Sequence, residues 1–140
     1  IYCRGVNGEG GAWVIGVESP DLDPLAPRRV FASLSLSGYG VATSGDYRNR
    51  RQLDGEESSH LFNPKSGETV SSELASVTVI ADGCARADAY ATAAMVMGLE
   101  AGMSWMESAP GVEAVFIARD SAGALKMHAT SGCAKLGLMD

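Results

Sequence analysis

The sequence predicts an α+β domain: a mainly antiparallel sheet covered on one face by a helical pair. Three observations predict it. Short runs of β-type residues, punctuated by Gly, Pro and Asp, fill the chain from Trp13 to Ala81. A helical stretch follows, apolar on most sides through Ala, Met and Val, so it should lie across one face of the sheet. Two more β-type runs then close the chain around a turn.

The elements follow in order. Residues 1–12 are Gly-rich and polar, with Gly5, Gly8, Gly10 and Gly11 close together. They lack the Gly-Lys-Ser/Thr of a phosphate loop and do not open a helix, so a hairpin turn or frayed terminus is the better reading. Trp13–Glu18 reads as a strand. Pro20, Pro24 and Pro27 make Ser19–Arg28 a loop. Val30–Leu36 alternates apolar and small residues, a strand with one buried face. Gly38 and Gly40 mark a tight turn, and the strand from Gly40 to Ser44 should complete a hairpin with Val30–Leu36. Arg51-Gln52-Leu53 leads to a turn at Asp54-Gly55, and His60–Gly67 returns as strand then turn. Ala75–Ala81 is the clearest strand. The first helix is expected over about Cys84–Met97, with Asp82 as N-cap and Gly98 as its stop. A second covers about Leu99–Glu107, ended by Pro110-Gly111. Val112–Ala118 and Ala124–Ala129 form the last hairpin around Asp120–Gly123.

Length and composition set bounds. The 140 residues suit one domain with one modest core. Hydrophobic content of 46% and charged content of 20% are ordinary for a globular chain. A net charge of −6 argues against a nucleic-acid surface, which needs clustered Lys and Arg. The one dense basic run, Arg48-Asn49-Arg50-Arg51, reads as a solvated edge or as a phosphate-facing patch. No stretch approaches the ~20 apolar residues of a membrane span. The chain starts at Ile1 rather than Met, so a missing leader says nothing about compartment. Cys3, Cys84 and Cys133 show no CxxC or zinc spacing and read as reduced or buried thiols. Met95, Met97, Met103, Met106 and Met127 read as core filler, and His128 as a strand-face histidine.

Asp88 and Thr92 are the most informative pair. Four residues apart on a helix, they share a face. A carboxylate beside a hydroxyl is a pair of hard oxygen donors, suited to Mg²⁺ or Ca²⁺. The plain alternative is an Asp favoured by the helix N-terminus and a Thr satisfied by a backbone carbonyl. Upstream, Gly45 permits close approach of a ligand, while Ser44 and Tyr47 can donate hydrogen bonds and Tyr47 can stack on a ring. The alternative there is a turn closing a strand, with Tyr47 in the core. His60 reads as a general acid–base or as a hydrogen-bonded surface histidine before a turn.

Taken in order, the blocks Ala42-Thr43-Ser44-Gly45-Asp46-Tyr47-Arg48, Ser59-His60-Leu61-Phe62-Asn63-Pro64-Lys65-Ser66-Gly67 and Ala87-Asp88-Ala89-Tyr90-Ala91-Thr92 resemble the ApbE family. So does the Val77–Asp82 strand before the helix and the Met97–Gly102 turn after it. The resemblance runs from about Trp13 to about Ile117 and is to the C-terminal half of these flavin transferases, which move FMN from FAD onto a protein hydroxyl. It implies a T-fold-like architecture over residues 1–140, with Asp88 and Thr92 as magnesium ligands (Ca²⁺ being the other hard cation considered) and FAD as substrate. It implies activity for His60, which heads a His-x-x-x-Pro motif, and FAD contacts for Thr43, Ser44, Gly45, Tyr47, Pro64 and Gly67. Ser66 stands where many relatives have Thr.

The resemblance further implies that a hydroxyl of an acceptor protein attacks the FMN-side phosphorus and AMP leaves. The family's N-terminal half, with its Lys-Gly and Gly-Gly-Asp segments and a backbone metal ligand, has no counterpart here. The site is therefore expected to need that half, or self-association, for completion. Two other readings stay open: an FAD pyrophosphatase giving FMN and AMP, and a flavin-binding or interaction domain without turnover. Family members are commonly exported lipoproteins, which would place the chain in the periplasm or at a membrane anchor.

Overall fold

The computed structural model describes residues 1–20, 27–46, 51–53, 56–58, 62, 64, 67 and 73–139. Nine strands and two α-helices are described: β1 (Tyr2–Cys3), β2 (Trp13–Glu18), β3 (Val30–Leu36), β4 (Tyr39–Gly45), β5 (Arg51–Leu53), β6 (Glu56–Ser58), β7 (Leu74–Ala81), α1 (Cys84–Met97), α2 (Leu99–Ser108), β8 (Glu113–Arg119) and β9 (Leu125–Ala129). A 3-10 helix, Ser131–Leu136, follows. The α+β expectation holds, and every described strand pair is antiparallel.

The main sheet runs β1-β4-β7-β8-β9, and β7 is its spine. All eight residues of β7 are buried. Its sequence, Leu-Ala-Ser-Val-Thr-Val-Ile-Ala, is nearly continuous in small and apolar residues because both faces are covered. Val77, Val79 and Ala81 meet the helices along with Phe116 and Met106. Ile80, with Val41, Val115 and Ile117, meets Leu34 and Leu36 of β3 and Cys133 of the 3-10 helix. The result is three layers: helical pair, five-stranded sheet, and the β2–β3 ribbon. Phe116 and Leu34 are each fully buried, which contributes about 1.5–3 kcal/mol apiece.

The β2–β3 ribbon corrects one expectation. β3 and β4 do not form a hairpin: β3 pairs with β2, while β4 lies between β1 and β7. The Ser37-Gly38 bend, with Gly38 at φ 82°, carries the chain from one layer to the next. Short loops between two alternating runs look the same in sequence whether the strands pair or change layers. The choice is made by long-range partners, here Tyr2 opposite Gly40 and Val41 opposite Ile80. The Gly-rich start is likewise more ordered than a frayed end. Tyr2–Cys3 joins the sheet, and Asn7 Oδ1 accepts from the amides of Glu9 and Gly11 to build the turn that follows.

α1 buries Ala87, Ala91, Ala94 and Met95, a stripe at helical spacing whose alanines let the axis sit close to β4 and β7. Its N-cap is Gly83, with no side-chain cap, and not Asp82. The reason is packing. A Cβ on Gly40 would lie 2.4 Å from the Cys84 amide nitrogen, so the helix start rests directly on the β4 backbone. Asp82 instead pairs with Arg86 one turn on, at 3.5 Å. Gly98, at φ 82°, ends α1 as expected and also begins α2.

One smaller expectation changes: Met97 is 43% exposed, unlike the fully enclosed Met95 and Met106. The three cysteines are free thiols, with Cys3 and Cys133 buried and Cys84 exposed. Burial pushes both buried thiols above the usual range. Among the described residues no helix is long and apolar enough to cross a membrane.

Candidate functional site

The site is built on the seam between β4 and α1. Along β4, Ala42 packs into the helix-side core, so alternation sends Ser44 to the same side and Thr43 to the other. Ser44 Oγ lies 3.0 Å from Thr92 Oγ1. Two of the sequence-predicted blocks, 48 residues apart, thereby meet through a hydroxyl pair.

Asp88 lies one helical turn before Thr92 on the same exposed side of α1. Among the described residues its carboxylate has no ion pair or hydrogen bond. One carboxylate and two hydroxyls therefore share an accessible edge. These are hard oxygen donors, a set that fits Mg²⁺ or Ca²⁺ and not a soft metal. No group of three or more His, Cys, Asp or Glu gathers among the described residues. A cation here would draw further ligands from water, backbone or a phosphate, as Mg²⁺ commonly does.

The other predicted residues fall differently. Thr43 Oγ1 is 2.8 Å from Thr78 Oγ1 on the sheet face opposite Ser44. Its side chain is tied into a cross-strand pair rather than turned to the seam. Gly45 ends β4, opposite Ser76 of β7. Pro64 is exposed in a turn and Gly67 is exposed at φ 72°. His60 and Tyr47 lie outside the described residues, as do Arg48–Arg50 and the Asp54-Gly55 turn. His128 is exposed on β9, opposite Phe116.

Sequence reasoning missed the ion pair at the end of β4. Arg119 closes β8 and reaches Asp46 at 3.3 Å, with side chains only 15% and 13% exposed. Its second terminal nitrogen donates to the Pro20 carbonyl at 2.9 Å. No spacing rule links residues 73 apart; the only signal was two opposite charges at strand ends. On the far side of α1, Arg86 sits 5.2 Å from the Tyr90 ring centre, and Tyr90 stacks on Trp105 at 4.6 Å. This cluster locks α1 to α2 and faces away from Asp88.

The sequence and the layered fold find matches among known proteins. The ApbE family model matches residues 1–116. The chain belongs to the ApbE family. It is 38% identical over 108 residues to the FAD:protein FMN transferase of Vibrio cholerae, covering 77% of this chain and 31% of that protein. It is 42% identical over 100 residues to the enzyme of the same name from Escherichia coli K12, covering 71% and 28%. Among solved structures, the flavin transferase ApbE from Vibrio cholerae superposes with a TM-score of 0.73 at 31% identity, over 94% of this chain and 40% of that one. The Pseudomonas stutzeri flavinyl transferase ApbE, apo form, gives 0.73 at 36% identity, over 95% and 39%. This ApbE-family chain thus spans about a third of the length of the curated relatives it matches.

Proposed function

We propose that residues 1–140 form the C-terminal half of an ApbE-like flavin transferase domain and supply the metal-holding side of its site. The activity is transfer of FMN from FAD to a Ser or Thr hydroxyl of an acceptor protein. The observation that carries this reading is the meeting of Ser44 with Thr92 one turn from Asp88, at 3.0 Å, in a chain whose relatives are named FAD:protein FMN transferase.

Asp88 and Thr92 would hold Mg²⁺, with Ser44 orienting the Thr92 hydroxyl. Ser44 accepts or donates within the pair, which limits the rotamers Thr92 can take. Bound there, the cation would neutralise pyrophosphate charge on FAD; phosphoryl-type transfer needs positioning and charge stabilisation more than covalent help. Gly45 leaves the backbone at the strand end open to close approach by the substrate. His60 is assigned proton handling from its motif alone. The remaining walls of the FAD site come from sequence beyond these 140 residues or from a second copy.

The test is product analysis with an acceptor protein present and absent. Mg²⁺-dependent labelling of the acceptor with FMN, with AMP released, is the expected result. FMN and AMP formed equally without acceptor would make the chain a pyrophosphatase, and tight FAD binding without products would make it a binding domain.

A further inference from the structure

The end of β4 is held from behind. β4 and β8 flank β7 and run the same way, so Asp46 and Arg119 emerge at one end of the sheet. Between them β7 shifts register at Leu74–Ser76. That irregular end is where pairing alone would hold the strands least well. Arg119 closes it on three sides. Its amide donates to the Glu73 carbonyl at 2.8 Å. Its guanidinium grips Asp46 at 3.3 Å and the Pro20 carbonyl at 2.9 Å. Alternation along β8 places Arg119 on the side of Val115 and Ile117, the ribbon side.

Asp46 follows Ser44 and Gly45 directly, and its own amide bonds to Ala75. Fixing Asp46 therefore fixes the backbone from which Ser44 reaches Thr92. Arg119 lies just past residue 116, where the family match ends, while its partner Asp46 lies within the matched stretch.

We propose that Arg119 is a positioning residue for the Ser44–Gly45 end of β4, setting the Ser44–Thr92 pair and through it the cation affinity of the site. The role rests on the metal and FAD reading above. Supporting partners of ligand residues typically change metal affinity by roughly 10–100-fold when removed. A fixed guanidinium fork suits the task, because it can hold a carboxylate and a carbonyl at once, whereas an ammonium acts as a point charge.

The experiment compares wild type, Arg119→Met, Arg119→Lys and Asp46→Asn. Three readouts are taken: the thermal midpoint, the amide resonances of Gly45 and Thr92, and the Mg²⁺ concentration giving half-maximal FAD binding. Arg119→Met and Asp46→Asn should shift both resonances and raise the half-maximal Mg²⁺ concentration by about tenfold or more. Arg119→Lys should recover part of that loss. Should Arg119→Met fail to fold, Asp46→Asn carries the same expectation, since it removes the charge and keeps the shape. A lowered midpoint with unmoved Gly45 and Thr92 resonances and unchanged Mg²⁺ dependence would make Arg119 merely structural and overturn the proposal. Wild type that shows no Mg²⁺-dependent FAD binding, while Arg119→Met still moves both resonances, would overturn the functional reading and leave the brace a feature of the fold alone.

Discussion

Ser44 Oγ and Thr92 Oγ1 sit 3.0 Å apart, joining the end of β4 to the third turn of α1. Each residue belongs to a different motif block, and neither block explains the other without the fold. The contact exists because α1 lies close on β4, and it lies close because the facing residues are small. Gly40 lies beneath its start, and Ala87, Ala91 and Ala94 line its underside. The hydroxyl pair then falls beside Asp88 at an accessible edge.

Gly40 is the first place to test that packing. Any Cβ there would come within 2.4 Å of both the Cys84 amide nitrogen and the Gly83 carbonyl carbon, which are backbone and cannot rotate away. Gly40→Ala is expected to lower stability by about 1–3 kcal/mol, the usual range for overpacking. Urea denaturation would show it as a lower midpoint with an unchanged slope. An unchanged midpoint would mean that α1 does not rest on β4 as described.

Ser76 gives a prediction of opposite sign. It is 1% exposed, and among the described residues its Oγ has no hydrogen-bond partner. A buried unsatisfied hydroxyl costs about 1–3 kcal/mol. Ser76→Ala should therefore be neutral or raise the thermal midpoint, in contrast to most core substitutions. A clear loss of stability would reveal a partner for that hydroxyl.

The three cysteines should separate by reactivity. Cys84 is exposed, whereas Cys3 and Cys133 are enclosed and their thiols are pushed up by burial. Since the thiolate is the reacting form, a thiol reagent should modify Cys84 rapidly in the native protein and all three after denaturation. Rapid modification of Cys133 in the native state would contradict its place against β8.

Glu107 carries a pH prediction. Its carboxylate accepts from the Ser131 hydroxyl and amide, and these bonds hold it below the ordinary glutamate range. A lowered pKa stabilises the folded state above the unfolded value, and that contribution is lost as pH falls through the folded value. The start of the 3-10 helix should therefore loosen below about the normal glutamate range, with Glu107→Gln insensitive there. Hydrogen exchange at Ser131–Cys133 across that window would show it; equal protection in both proteins at all pH values would rule it out.

How much the sequence could reveal depended on distance along the chain. Local signals worked: the Val-rich Ala75–Ala81 run, the Cys84–Met97 helix with its Gly98 stop, and the Asp120–Gly123 turn all stand close to where their residues put them. Choices decided by remote partners were not readable. Nothing near Gly38 says that β3 changes layer instead of pairing with β4. Nothing near Asp82 says that Gly40 lets the helix start so close to the sheet that no side-chain cap forms. At the site, spacing alone gave Asp88 and Thr92 a shared face, and motif order supplied Ser44. The strand alternation that turns Thr43 away, and the Arg119 brace behind Asp46, emerge only once β4, β7 and β8 are side by side.

The Asp88–Thr92–Ser44 edge is proposed to hold a divalent cation for FAD. The most direct measurement is titration of FAD with Mg²⁺ in wild type and Asp88→Ala, with FMN and AMP followed as products and the fold checked by circular dichroism. Mg²⁺-dependent FAD binding or turnover in wild type, lost in an Asp88→Ala protein of unchanged fold, is the predicted result. Equal Mg²⁺ dependence in both proteins would contradict the assignment of this edge as the metal site.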